Sequence, residues 1–278
     1  MIRVGIGGWV FPPWRGEFYP KGLPQAQELS FASRNVNTIE INATFYRTQK
    51  PASFRKWAAE TPEHFIFSIK GPQFATNRRV LAEAGPSIER FFASGVLDLE
   101  EKLGPILWQM APTKKFEPDD FAGFLALLPQ NAGHRPIRHA IEVRHQSFVT
   151  EKFIDLLRRF SVAVVLVDSE KHPLIADPTS DFLYLRLQRT AEKVQTGYPG
   201  AELERWAKRA RTWEAGGLPQ DLPTLANSAP RSTARDVFIY VISGAKVRAP
   251  GAAMALIERL ASDVPAVRSH PEEEPRRR

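Results

Sequence analysis

The sequence predicts a single-domain α/β protein, a (β/α)8 TIM barrel, and three observations carry that prediction. Eight runs rich in Val and Ile recur along the chain, helical patterns lie between them, and 278 residues suit one closed barrel of roughly 250. The runs are 2–8, 38–42, 65–70, 106–110, 140–143, 162–168, 182–187 and 237–242. Most are nearly continuous apolar stretches, the pattern of parallel strands buried on both faces.

The intervening segments read as helices. Pro51 opens one that carries Phe54 and Trp57. Pro118, a residue suited to the first helical turn, precedes Phe121, Phe124, Leu125 and Leu128 at i, i+3, i+4, i+7. Phe153, Leu156, Leu157 and Phe160 repeat that stripe behind Thr150, which is placed to cap it. Leu203, Trp206, Ala210 and Trp213 form another, and Ala253, Leu256, Ile257 and Leu260 the last. Residues 188–200, with Gly197, Pro199 and Gly200, read as a long loop after the seventh strand. Residues 215–235, rich in Gly, Pro and Ser, read as a mobile connection. The barrel domain is expected over 1–262 and a polar, disordered tail over 263–278.

Composition excludes several chemistries. With no cysteine there is no disulfide, thiol nucleophile, iron–sulfur cluster or thiolate zinc site, and a reducing, cytoplasmic setting is expected. No run approaches the roughly 18 apolar residues of a membrane span, and residues 1–10 lack the order of a signal peptide. The net charge is +7, and from Asp263 onward four arginines balance four acids, so the excess lies in the folded body. Such an excess suits an anionic substrate, nucleic acid or plain solubility.

In a barrel of this kind the site lies at the C-terminal ends of the strands. Those ends are crowded with charge. Glu40 and Asn42 share a face of the second strand, Lys70 ends the third, and Gln109 falls near the end of the fourth. Glu142 and Arg144 share a face of the fifth, with His145 next, and Asp168 ends the sixth. Arg186 and Gln188 share a face of the seventh, and Ser243 and Lys246 follow the eighth. Closure sets Glu40, Glu142 and Asp168 against Lys70, Arg144, Arg186 and Lys246. Since buried charges are costly unless paired, one reading is a self-satisfied ion-pair ring that merely closes the barrel top. The other is an acid/base carboxylate beside an anion clamp.

At these residues the sequence resembles the YecE-like family, domain-of-unknown-function family 72, over residues 2–262. The resemblance rests on GGW at 7–9 with Trp14, Tyr19 and Pro20, on EINATFY at 40–46, on Lys70 and the Gln109 segment, and on EVRH at 142–145, Asp168 and YLRL at 184–187. It implies a TIM barrel and no established activity. Three positions depart from the usual pattern: Asn77 and Gln188, where histidine is common, and ISGAK at 242–246, which replaces an asparagine-rich turn. If those positions carry catalysis elsewhere in the family, the departures imply a variant substrate or mechanism here.

The function expected is an enzyme using general acid/base catalysis on a small anionic, sugar-like substrate bearing phosphate or carboxylate. Glu142 or Glu40 would exchange the proton, with Asp168 the third acid of the ring. Arg144 and Arg186 would hold the anion, since a guanidinium grips such groups with two parallel bonds. Lys70 would neutralise developing charge, or form a Schiff base if burial lowers its pKa, although paired acids act the other way. Asn42, Gln109, His145, Gln188, Ser243 and Lys246 are the polar lining. Among Trp9, Trp14, Phe45, Tyr46 and Tyr198, the motif residues Trp9 and Tyr46 are the best placed to stack on substrate.

No phosphate-binding loop, dinucleotide fingerprint or serine elbow is present, and no cofactor is expected. Glu40, Glu142, Asp168 and His145 could together hold Mg²⁺ or Mn²⁺, but the neighbouring cations already neutralise those acids. The alternative function is nucleic-acid binding through Arg78–Arg79, Lys114–Lys115, Arg158–Arg159 and the helix spanning Arg205 to Arg211. The helical pairs oppose apolar stripes and read as solvated faces.

Overall fold

Eight parallel strands close on one another in the computed structural model, which describes residues 1–226 and 233–262. They are β1 (Ile2–Gly7), β2 (Thr38–Ile41), β3 (Ile66–Lys70), β4 (Leu103–Gln109), β5 (His139–Glu142), β6 (Ala163–Asp168), β7 (Phe182–Leu187) and β8 (Asp236–Val241). Each pairs with its neighbours in chain order, and β8 returns to β1 in the register Ile2↔Val237 to Ile6↔Val241. All eight runs read from the sequence are therefore barrel strands. The largest difference is at β4, which begins at Leu103, three residues before the expected start. Gly104 and Pro105 read as breakers there. In the barrel Gly104 permits close approach, since a Cβ on it would lie 2.4 Å from Ile66 Cγ2. The Pro105 carbonyl accepts a 2.9 Å bond from Ser68 Oγ.

Alternation along each strand makes two cores. Outward residues such as Val4, Ile39, Ile69, Ile141 and Leu185 are buried beneath the helices. Inward residues, among them Leu107, Ala140, Val165, Phe182 and Phe238, fill the barrel itself. The interior is tightest at β1, where Gly5 is needed: a Cβ there would stand 1.8 Å from the Thr38 carbonyl oxygen.

The five helices expected are found at Pro51–Glu60, Pro118–Ala126, Glu151–Arg159, Gly200–Glu214 and Ala249–Ser262. Thr150 caps the third of these as expected, its hydroxyl accepting from the Phe153 amide at 3.3 Å. Further helices at Glu28–Asn35 and Gly85–Ala93 complete that layer. The βα alternation lapses once. Residues 169–181, between β6 and β7, form no helix. Pro173 and Pro178 disfavour one, and the segment is pinned by side chains instead. Thr179 Oγ1 accepts from the Val164 amide at 2.8 Å and donates to the Val162 carbonyl at 2.7 Å.

Residues 188–199 are a loop, as expected. Of the connection read at 215–235, residues 227–232 lie outside the described residues, as does the expected tail at 263–278. Among the described residues no helix is long and apolar enough to cross a membrane.

Candidate active site at the barrel mouth

The inward positions change character from the bottom of the barrel to the top. Phe182 and Phe238 come first, with ring centroids 6.0 Å apart. Two residues on along each strand stand Tyr184 and Tyr240, with rings 4.9 Å apart. Tyr240 shares a 2.9 Å hydrogen bond with Thr38 Oγ1, and Tyr184 lies 2.7 Å from Ser68 Oγ. One further step brings the charged tier of Glu40, Lys70, Gln109, Glu142 and Arg186.

Arg186 organises that tier. It is 3% exposed, while Glu40 and Glu142 are 0% exposed. Its guanidinium meets Glu40 with two bonds, Nη2 to Oε1 at 3.0 Å and Nε to Oε2 at 3.1 Å. Its Nη1 donates to Glu142 Oε2 and, at 3.3 Å, to Gln109 Oε1. Tyr184 donates to Glu40 Oε2 at 2.7 Å, and Arg144 Nε donates to Glu142 Oε1 at 2.7 Å. All four carboxylate oxygens are thus engaged beneath the mouth. Burial alone would raise the Glu142 carboxyl, but the charges of Arg186 and Arg144 carry it below its usual value.

Lys70 is held differently. It is 5% exposed and forms no ion pair among the described residues, and its Nζ lies 3.9 Å from the centroid of the Phe45 ring. Burial, then the charge of Arg186, pushes its amine down to about 8 against the opposing pull of Glu40 and Glu142.

Above this floor opens a cavity of about 510 Å³, a volume suited to a small molecule. Lys70, Gln109, Arg144 and Arg186 form its base, and Trp9, Phe45, Tyr46 and Trp57 give it an aromatic wall. Asn42, Ser243 and Lys246 also line it. Lys246 Nζ lies 4.6 Å from the Phe11 ring centroid, and burial lowers its amine. Gly7, of the GGW motif, leaves part of this space open, since a Cβ there would lie 2.9 Å from Ile242 Cδ1.

Nine of the fourteen expected site residues therefore line the cavity: Trp9, Asn42, Tyr46, Lys70, Gln109, Arg144, Arg186, Ser243 and Lys246. Glu40 and Glu142 bond directly to its floor. The other three stand apart. Asp168 is out of phase with Val165 and Val167, which point inward, and instead accepts from Arg189 Nε and Tyr198 Oη, each at 2.8 Å. His145 is out of phase with Glu142 and Arg144, and its Nδ1 accepts from the Ser147 amide at 3.1 Å. Gln188 follows the end of β7, half-buried, its backbone N–H donating to the Asp168 carbonyl at 3.1 Å. Consequently Asp168 and His145 do not join Glu40 and Glu142 as one ligand set. Among the described residues no three His, Cys, Asp or Glu side chains converge on one point.

Two of the other mouth aromatics are structural. Trp14 is fully buried and donates to the Lys246 carbonyl at 2.9 Å, and Tyr198 is bound to Asp168. Sequence reasoning passed over Trp57, which appeared only in a helical stripe yet stands edge-on to Trp9 at 5.3 Å. It also passed over Tyr184, although the YLRL motif contains it. His172, on the helix-free crossover, gave no signal at all. Burial, then the charge of Arg144, lowers its imidazole, and its Nδ1 is buried without a hydrogen-bond partner.

Glu40, Glu142, Arg144, Tyr184 and Arg186 belong to the sequence motifs at 40–46, 142–145 and 184–187, and the family model described as "Protein of unknown function DUF72" matches residues 3–277. The chain belongs to the DUF72 family. A relative in Bacillus subtilis (strain 168), UPF0759 protein YunF, is 27% identical over 168 residues, a match covering 59% of this chain and 57% of YunF. The match thus spans a little over half of that relative's length. A DUF72 crystal structure from Thermotoga maritima MSB8 superposes with a TM-score of 0.72 at 22% identity, covering 95% of this chain and 100% of the other. One from Enterococcus faecalis V583 gives 0.70 at 15% identity, covering 94% and 96%. These two DUF72 structures share the barrel fold with this chain.

Proposed function

We propose that the mouth binds a small anionic compound with a ring or sugar-like body and carries out proton transfer on it. The observation that carries this reading is a charge imbalance. Three cations, Lys70, Arg144 and Arg186, stand against two carboxylates whose oxygens are all engaged, and the excess faces an aromatic-walled cavity. Arg144 is the anion holder. Its Nε is committed to Glu142, and among the described residues its Nη atoms make no hydrogen bond. The aromatic wall of Trp9, Tyr46 and Trp57 suits the face of a ring.

The proton-transfer role falls to Lys70 rather than to Glu40 or Glu142. An amine brought down to about 8 that reaches the cavity can accept and return a proton. The two acids instead hold Arg186 in place. Asp168 takes no part in this reading. Thermal melting with sugar phosphates and sugar acids tests it. A ligand at about a hundred times its Kd adds roughly 2.7 kcal/mol, a rise of several degrees. The reading requires such a rise from at least one anion and its loss in Arg144→Ala. Identical rises in both proteins, or none across the panel, would defeat it.

A second reading, nucleic-acid binding, has one observation in its favour. Arg78, Arg79, Lys114 and Lys115, remote in sequence, line one pocket of about 620 Å³ in the loops that follow β3 and β4. Two of the four are partly committed: Arg78 Nε donates to the Phe74 carbonyl at 2.8 Å, and Lys114 Nζ to Asp120 Oδ2 at 2.8 Å. Arg79 and Lys115 are exposed. Oligonucleotide affinity that falls steeply with salt and is lost in Arg79→Ala/Lys115→Ala would favour this reading over the first.

A further inference from the structure

We propose that Lys70 is a nucleophile that forms an imine with an anionic aldehyde or ketone, making the substrate class an oxo acid or a phosphorylated carbonyl compound. This deepens the proposed function and rests on its anion-binding mouth.

An imine-forming lysine must reach the substrate, escape permanent ion pairing and be neutral for part of the time. Lys70 meets all three conditions. It lines the cavity, and it has no ion pair among the described residues, because Arg186, Arg144 and Tyr184 engage every oxygen of Glu40 and Glu142. With its amine brought down to about 8, about a tenth is neutral at pH 7, against roughly one part in three thousand for an ordinary lysine. The Phe45 face acts in the opposite sense, since an aromatic ring favours the ammonium form, but that attraction is modest.

The charge pattern also selects the partner. Burial, with Arg186 close by, disfavours a positive charge at Nζ, whether ammonium or iminium. A carbonyl compound carrying a carboxylate or phosphate brings its own counter-charge to Arg144 and removes that penalty as it binds. A neutral aldehyde brings none. The site therefore favours anionic carbonyl compounds over neutral ones of equal size.

The step balances without any further reagent. The neutral Nζ lone pair adds to the carbonyl carbon, and a proton passes from nitrogen to oxygen, giving a carbinolamine. That hydroxyl then leaves with one proton from solvent as water, and the C=N bond forms as a cationic iminium. Amine, carbonyl and one proton give iminium and water, and hydrolysis is the reverse. No electron is gained or lost. The iminium draws electrons from the adjacent carbon and so acidifies its C–H; while Lys70 is bound in this way that proton passes to water in the cavity, and Lys70 exchanges protons itself only before the imine forms and after it is hydrolysed.

The test uses pyridoxal 5′-phosphate, which joins an aldehyde, a ring and a phosphate in one probe, together with pyridoxine 5′-phosphate, which lacks the aldehyde. The full chain is incubated with the aldehyde, reduced with borohydride and mapped by mass spectrometry between pH 6 and 10. The expected result is labelling of Lys70 faster than any other lysine at pH 7, by about tenfold or more, as its larger neutral fraction supplies. Its rate midpoint should lie near 8, and pyridoxine 5′-phosphate should protect it. Labelling should be lost in Lys70→Arg and reduced in Arg144→Ala, with surface lysines unchanged. The wild-type pH profile gives the answer even if a variant fails to fold. If pyridoxine 5′-phosphate binds and depends on Arg144 while Lys70 stays unlabelled, the imine is overturned and the anion-binding reading stands. If the control does not bind and label spreads evenly over surface lysines, both are overturned.

Discussion

Arg186 grips Glu40 through two parallel hydrogen bonds, at 3.0 and 3.1 Å, and neither side chain is more than 3% exposed. A buried pair of this kind stabilises little relative to an apolar replacement, but losing one partner strands the other charge. Here one guanidinium serves two carboxylates, so its loss strands Glu40 and leaves Glu142 with Arg144 alone. Arg186→Met is predicted to cost about 3–5 kcal/mol. Arg144→Ala, at the wetter edge of the same network, should cost much less. Urea unfolding of the two variants measures the difference, and equal costs would contradict the network as described.

Tyr184 adds a second layer under that pair. Its hydroxyl donates to Glu40 Oε2 at 2.7 Å, and its ring fills the barrel beside Tyr240. Tyr184→Phe keeps the ring and deletes the hydrogen bond to a buried carboxylate together with the contact to Ser68 Oγ. The predicted loss is about 1–3 kcal/mol, with the cavity above unchanged in shape. Chemical denaturation should show the loss, and anion binding at the mouth should survive it.

The charged tier was legible in the sequence because residues two apart on a strand share a face. Glu40, Glu142 and Arg186 carry that phase on β2, β5 and β7, and all three meet. The same rule, applied to β6, excludes Asp168, because Val165 and Val167 claim the inward face. Reading Asp168 as part of the ring used its position at a strand end and ignored its phase. What strand phase does not encode is depth. Nothing in the pattern separates Lys70, which reaches the cavity, from Glu40, which is sealed beneath Arg186, because that depends on which side chains pair. His172 was invisible for another reason: its crossover has no periodicity, and only the closed barrel brings it within the influence of Arg144.

Gly5 and Gly7 both stand in β1 but face different neighbours. A Cβ at Gly5 would lie 1.8 Å from the Thr38 carbonyl oxygen, a backbone atom held in the barrel. At Gly7 the nearest atom is Ile242 Cδ1 at 2.9 Å, the end of a flexible side chain. Gly5→Ala is therefore predicted to cost about 3 kcal/mol or more, while Gly7→Ala costs about 1 kcal/mol. The milder variant should still weaken anion binding, since Gly7 lines the cavity and its new methyl displaces Ile242. Melting temperatures rank the first effect, and ligand titration reads the second.

His139 supplies a prediction about acid. It is buried between Trp108 Nε1, which donates to its Nδ1 at 3.1 Å, and the Pro129 carbonyl, 2.8 Å from its Nε2. Those partners place the single ring proton on Nε2, so a second proton would have to enter opposite the Trp108 N–H. Burial accordingly pushes the imidazole down to about 4. Because the folded value lies below the unfolded value of about 6.5, the unfolded chain takes up a proton first as pH falls. This contribution is flat above about pH 6.5 and becomes destabilising from there down to about 4, reaching about 2 kcal/mol by pH 5. His139→Gln can accept from Trp108 and donate to Pro129 without titrating, so its stability should fall less over the same window. Urea unfolding of both proteins at pH 7.5, 6 and 5 checks this. Parallel losses in the two would show that other groups, such as His172, carry the acid sensitivity.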